Sequence, residues 1–353
     1  MRPVHIALAV LVAAVWGVNF VVIEVGLDHF PPLLFSALRF LVAAVPAVFL
    51  VRRPGVALRW IVLVGLLLGV AKFGLVFTGM HLGMPAGLTS LVLQVQAVFT
   101  ALLAVVFLRE RLGPWRYAGM AVALGGIGVA AYDQGASGPM TAFLMVVGAA
   151  AFWGLANVVT RRAAPPDALS WMVWVSLVPP LPLFALSLLV EGPEAGLAAL
   201  RGLDAAGAGT IVFVAWIATV FGFGAWGFLL GRYDASAVAP FSLLVPAFGM
   251  ASSALLLGEE FTPLSWIAAV LLVGGVALTS LTGRAPRSAP AAASACGPEH
   301  GPRPGPDGAT GSAPPPGGFR RAAPSASSDR PPTDHPPGTR TGADAVRMPP
   351  PPT

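Results

Sequence analysis

Residues 86–114 read AGLTSLVLQVQAVFTALLAVVFLRERLGP, and residues 235–263 read ASAVAPFSLLVPAFGMASSALLLGEEFTP. At an offset of 149 the two stretches align without a gap, and the match runs on through residues 129 and 278. Ala86 falls on Ala235, Phe99 on Phe248, Glu110 on Glu259, Pro114 on Pro263, and Gly125-Gly126 on Gly274-Gly275. Apolar segments often resemble one another by chance, but rarer residues in matched order seldom do. The heads of the halves also match. Ala14-Val15-Trp16-Gly17-Val18-Asn19 pairs with Ala151-Phe152-Trp153-Gly154-Leu155-Ala156-Asn157, with one residue inserted. The chain is therefore read as one unit used twice, over 4–132 and 140–283.

Each unit consists of apolar runs near 20 residues long. A helix of that length spans about 30 Å, the thickness of a bilayer's hydrocarbon core. Of the 353 residues, 56% are hydrophobic and 10% charged, where soluble domains carry about a quarter charged. Buried strands run to about 4–8 residues, so a soluble α/β protein does not fit these runs. Breaker signals divide the chain into ten predicted helices: 4–24, 32–51, 60–80, 86–108, 114–132, 140–160, 169–190, 207–231, 235–257 and 263–282. Pro32, Pro114 and Pro263 each open one, at positions where the first turn's N–H groups are free anyway. Residues 133–139 read as a loop. The first run, Val4 to Ile23, lacks a small-x-small cleavage site before its polar end, and reads as a helix rather than a signal peptide. From residue 284 to 353 the chain turns to Pro, Ala, Gly and Ser, a composition expected to stay disordered.

The loops alternate in charge. Arg2, then Arg52, Arg53 and Arg59, then Arg109, Arg111 and Arg116 fall on one side, followed by Arg161, Arg162, Arg232, Arg284 and Arg287. The other side holds Arg201 and a concentration of acids: Glu24, Asp28, Asp133, Glu191, Glu194, Asp204, Glu259 and Glu260. The positive-inside rule then places both termini in the cytoplasm of an inner-membrane protein. Five spans per unit is an odd number, so the second unit enters from the opposite face. The expected fold is all-α and integral to the membrane, with ten transmembrane helices in two inverted five-helix repeats. That arrangement characterises secondary transporters.

The net charge of +5 is spread over short loops rather than gathered in a patch, which argues against nucleic-acid binding. The single cysteine, Cys296, excludes an internal disulfide. Gly222-Phe223-Gly224-Ala225-Trp226-Gly227 matches the dinucleotide fingerprint in form, but it lies inside an apolar span where small residues serve helix packing. No metal-spaced His/Cys set, P-loop or paired-Asp motif is present, so neither an enzyme nor a cofactor site is expected. Glu110 and Glu259, at equivalent corners, are expected to hold the helix–helix turns.

Polar residues inside the spans are the candidate site. Lys72, the sole lysine, lies in the third span. It would attract a substrate carboxylate or pair with an acid such as Glu24. Trp16 and Lys72 lie roughly 18 Å from the cytoplasmic ends of their helices, and Gln94 and Gln96 roughly 12–15 Å from the external end of theirs, all near the midplane. Asn19 and Asn157 each sit one turn from a tryptophan, Trp16 or Trp153. Pro246, read as mid-span in the ninth helix, predicts a bend beside the same layer.

The segments 15–23 (VWGVNFVVI), 37–40 (ALRF), 83–88 (GMPAGL), 90–97 (SLVLQVQA), 229–233 (LLGRY) and 238–246 (VAPFSLLVP) resemble the drug/metabolite transporter superfamily. Within its EamA group they are most similar to the O-acetylserine/cysteine exporter branch. The resemblance covers residues 4–283. It implies ten helices in two inverted repeats and export of small amino acids or related metabolites, driven by an ion gradient such as protons. A transporter of a different metabolite or drug, or a membrane-embedded enzyme, is the alternative. Two features depart from the branch: Glu259-Glu260 stands where relatives carry Glu-Arg, and Lys72 belongs to no shared motif.

Overall fold

The computed structural model describes residues 1–281, so the expected tail and residues 282–283 lie outside the described residues. Every regular element among them is helical. In order these are α1 (Pro3–Leu27), α2 (Pro32–Val48), α3 (Leu58–His81), α4 (Ala86–Leu108), α5 (Pro114–Ser137), α6 (Met140–Ala163) and α7 (Ala168–Val190). The remainder are α8 (Pro193–Arg201), α9 (Ala205–Arg232), α10 (Ala239–Leu256), preceded by a single helical turn over Ala235–Val238, and α11 (Pro263–Leu281). Proline stands in the first turn of α1, α2, α5 and α8, where its missing N–H costs no hydrogen bond.

Seven of these, α1, α3, α4, α6, α7, α9 and α10, are long and apolar enough to cross a membrane. Ten were expected. The apolar helix α2 has 17 residues, short of the roughly 20 that span a bilayer core upright. Helix α5 has 24 residues but carries Arg116, Asp133 and four glycines between them. Helix α11 falls among the shorter apolar helices.

Other boundaries also moved. Residues 133–139 were read as a loop, yet α5 continues through Ser137. Asp133 there is buried, accepting from Thr262 and Ser265 hydroxyls at 2.6–2.9 Å, so its polarity does not end the helix. The connection after α7 contains the amphipathic α8, entered through Gly192 at φ +84°, a conformation that favours glycine. Pro246 does not bend a continuous α-helix. A 3₁₀ stretch over Ala239–Leu244 precedes it, and Pro246 sits in the first turn of the α-helical part, Val245–Leu256.

Departures from α geometry recur at the offset of 149. Helix α3 is π-helical over Gly65–Lys72 and α9 over Phe213–Phe221. Helix α4 is 3₁₀ over Leu93–Val95, which falls within the 3₁₀ stretch of α10. Such segments inside helices commonly mark functional sites or hinges. The corner residues Arg109 and Gly258, also 149 apart, both adopt left-handed backbone, φ 54° and 70°.

Close packing repeats too. A Cβ added at Gly126 would lie 2.8 Å from Leu272 N, and one at Gly275 would lie 2.4 Å from Ala123 N, where Ala123 and Leu272 are themselves 149 apart. These contacts bring the backbones of α5 and α11 together, as small residues allow in membrane helices. Gly17 of α1 meets Phe248 of α10, with an added Cβ 2.5 Å from the Phe248 Cβ. Gly154 of α6 meets Phe99 of α4 in the same way, at 2.8 Å.

Candidate functional site

Lys72 closes the π-helical part of α3 and is 5% exposed. Its Nζ lies 3.2 Å from the centroid of Phe73 and 4.5 Å from that of Trp153 on α6. The ion pairs among the described residues are His29–Asp204 and Arg161–Glu110, so the expected partner Glu24 does not hold Lys72. Glu24 Oε2 is itself buried with no hydrogen-bond partner among the described residues. A cation at this depth costs about 3 kcal/mol on insertion scales. Desolvated cation–π contacts return about 2 kcal/mol, so the rings offset most of it.

A second cation lies beside it. Arg39 on α2 is 3% exposed, and its guanidinium carbon stands 3.9 Å from the Phe73 centroid. Its Nη2 donates to the Thr219 hydroxyl at 3.0 Å, and that hydroxyl donates to the Val214 carbonyl within the π-helical part of α9. Arg39 Nε and Nη1 have no hydrogen-bond partner among the described residues. In the sequence Arg39 stands only within the segment 37–40 (ALRF). The available signal was an arginine in the middle of an apolar run.

The other candidates fall into local groups. Trp16 Nε1 donates to the Ala218 carbonyl at 2.9 Å, and its ring packs on Phe223 and Trp226. Trp153 reaches Lys72 and Trp16 reaches Ala218, so the two repeat-related tryptophans lie against the two π-helical segments. Asn19 is buried, with Oδ1 unpartnered among the described residues. Asn157 Nδ2 donates to Gln96 Oε1 at 2.9 Å and to the Thr100 hydroxyl at 3.2 Å. Gln94, on the other face, donates to the Ser242 carbonyl at 3.2 Å and so joins the 3₁₀ segments of α4 and α10. Pro246 is buried two residues beyond that segment. The structure thus groups Lys72 with Trp153 and Gln96 with Asn157, while Trp16 faces α9. The glycines of the apparent dinucleotide fingerprint are helical, and Gly222 gives room to the Trp16 indole.

The corner glutamates reach beyond their own turns. Glu259 accepts the backbone N–H groups of Ala86 and Gly87 at 2.7 and 3.0 Å, capping α4. Its repeat mate Glu110 pairs with Arg161. Glu191 accepts from Leu33 and Leu34 N–H and caps α2 similarly. Asp204 caps α9, and the Gly207 N–H, then His29, hold its carboxyl below the ordinary carboxylate range.

A cavity of about 720 Å³ opens beside these caps, lined by Asp28, His29, Phe30, Thr78, His81 and Glu191 among others. It lies at the ends of α1, α2 and α3 rather than at the midplane. Phe30 stacks on Phe35, Phe35 contacts Phe77, and Phe77 contacts Phe73, with centroids 5.1–6.2 Å apart. This ladder of rings runs from the cavity wall to the two buried cations.

The model of the EamA-like transporter family matches residues 4–132 and again 140–281. The chain is 42% identical over 275 residues to a "Probable amino-acid metabolite efflux pump" of Escherichia coli K12, covering 76% of this chain and 92% of that protein. The protein of the same description in Salmonella typhimurium is 42% identical over 288 residues, covering 80% and 96%. A "Probable terminal-alkyne amino-acid exporter" of Streptantibioticus cattleyicolor is 29% identical over 279 residues, covering 76% and 91%. A solved crystal structure at 21% identity superposes with a TM-score of 0.54 over 80% of this chain and 99% of its own, a likeness of fold.

Proposed function

This chain belongs to the EamA-like transporter family, and from that we propose that it is a secondary transporter exporting small amino acids or related metabolites of the O-acetylserine/cysteine type across the inner membrane. The names of its relatives, two amino-acid metabolite efflux pumps and an amino-acid exporter, support that substrate class.

The proposed topology is ten spans in two inverted repeats, 4–132 and 140–283, with both termini cytoplasmic. Helices α2, α5 and α11 supply the three spans beyond the seven. Support comes from the polar links between loops. Glu259–Ala86, Glu191–Leu33, His29–Asp204 and Thr262–Asp133 each join two ends that this topology puts outside. Arg161–Glu110 and His5–Tyr233 each join two ends it puts inside.

The observation that carries a transport mechanism is the recurrence of π and 3₁₀ segments at equivalent places of both halves. Two halves built alike but engaged differently can exchange conformations, which turns a site between them from one face of the membrane to the other. Glu259 is engaged as a cap on the outer face while Glu110 is held by Arg161. In the opposite state Glu110 takes the capping role towards residues 235 and 236.

The proposed substrate site comprises Trp16, Asn19, Lys72, Gln94, Gln96, Trp153, Asn157 and Pro246. Lys72 attracts the carboxylate, and the amides supply hydrogen bonds to a zwitterion. A proton gradient is the proposed drive. The test is tolerance: cells carrying the protein should survive excess cysteine or O-acetylserine better than cells without it. Protection only against an unrelated metabolite or drug would replace the substrate assignment and keep the transporter.

A further inference from the structure

We infer that Arg39 and Lys72 together form a buried carboxylate-binding pair, with Arg39 as the primary anchor. The inference rests on the transporter reading above and extends it to a residue that nothing else marks as functional.

Two like charges lie against one ring. The Arg39 guanidinium carbon stands 3.9 Å from the Phe73 centroid and Lys72 Nζ 3.2 Å from it. Both side chains are at least nine-tenths buried. Neither makes an ion pair among the described residues, and Lys72 makes no hydrogen bond there. Thr219 fixes one arm of the guanidinium and leaves Nε and Nη1 with donors to spare. A structural arginine in such a place would have its donors satisfied, because buried polar groups are paired as a rule. Uncompensated neighbouring cations repel, and one anion beside both relieves the repulsion and the unpaired donors together.

The surroundings select an organic anion. Trp153 and Phe73 cover Lys72 with aromatic faces, and Phe40 lies 5.4 Å from Phe73 edge-on. An amino acid's carboxylate would meet the cations while its side chain lies along these rings. Thr219 lies in the π-helical part of α9 and Lys72 in that of α3, so the bound anion would couple the irregular segments of both halves. The Phe30–Phe35–Phe77–Phe73 ladder separates the pair from the external cavity.

A binding role and a structural role predict opposite signs of stability. Purified full-length protein is melted in detergent with and without 3-mercaptopropionate, which keeps the carboxylate of cysteine and lacks its amine. Parallel samples contain cysteamine, which keeps the amine alone, or chloride at equal ionic strength. Wild type should melt several degrees higher with 3-mercaptopropionate, and cysteamine and chloride should do nothing. Arg39→Met and Lys72→Met should melt no lower than wild type without ligand, since each removes the repulsion between two neighbouring cations that have no anion between them. Both should lose the carboxylate-induced shift, and Arg39→Lys should keep part of it. In proteoliposomes, 3-mercaptopropionate should inhibit cysteine flux at least tenfold better than cysteamine.

The inference is overturned if Arg39→Met melts well below wild type, or keeps the full carboxylate shift. It is also overturned if chloride stabilises wild type as well as the carboxylate does, which would mark an inorganic-anion site. Absence of cysteine flux in wild type, with the carboxylate shift intact, would sink the substrate assignment and leave the anion pair standing.

Discussion

Glu259 accepts the backbone N–H of Ala86 at 2.7 Å across 173 positions of chain, so a corner of the second half caps a helix of the first. Loss of a capping side chain typically costs about 1 kcal/mol. Ser90 lies one turn inside this cap, 1% exposed and packed against Gly249. The sole native cysteine is Cys296, so Cys296→Ser gives a clean background for thiol labelling. In that background Ser90→Cys should resist an impermeant reagent added outside, and Glu259→Ala should make it react several-fold faster. Equal labelling with and without Glu259 would show that the cap does not close the outer face.

Gly17 and Gly154 should be equally intolerant of a methyl group. At Gly17 an added Cβ would lie 2.7 Å from Gly249 N, and at Gly154 2.9 Å from Thr100 N. These are backbone atoms and cannot rotate away. Overpacking of this kind costs about 1–3 kcal/mol. Gly17→Ala and Gly154→Ala should each lower the melting temperature of purified protein by several degrees, while Gly125→Ala, with nothing within 4 Å, should not. A neutral result at either buried site would contradict the helix contact drawn there.

The corner at Arg109 pays for a backbone that its repeat mate obtains from glycine. Arg109 has φ 54° and Gly258 φ 70°. Left-handed backbone costs a non-glycine residue roughly 1–2 kcal/mol, partly offset by glycine's greater unfolded-state freedom. Arg109→Gly should therefore leave stability unchanged or raise it by up to about 1 kcal/mol, read as melting temperature. A clear loss would mean that the arginine side chain does more than occupy the turn.

The inverted topology is tested by fusions. Reporters joined after residues 55 and 164 should read as cytoplasmic, and those after 138 and 202 as external. A cytoplasmic signal after 202 would contradict the seven spans that this topology places before it.

Much of this was legible because the duplication preserves rare residues. The offset of 149 exposed Glu110 and Glu259 as equivalent, and the prolines placed helix starts that the structure reproduces at Pro32, Pro114 and Pro263. Alignment could not show that Glu259 caps a helix 173 positions away, since that contact exists only once the halves pack. Nor could apolar periodicity reveal the π-helical segments, whose residues read as ordinary helix. Helix α8 is only nine residues long, too short for apolar periodicity to mark it, and Asp133 reads as a helix terminator until Thr262 and Ser265 bury it. Arg39 was hidden for a different reason. Its partners Thr219 and Phe73 lie on other helices, and in sequence it is one charge in an apolar span.

Export of a small amino acid is measured most directly as efflux from energised cells. Cells with and without the protein are loaded with labelled cysteine or O-acetylserine, transferred to label-free medium, and sampled over minutes with membrane abundance measured alongside. With the protein present, label should be lost faster and the internal pool should be lower, and a protonophore or Lys72→Gln at equal abundance should slow the loss. Identical efflux with and without abundant, membrane-inserted protein for both compounds would contradict it.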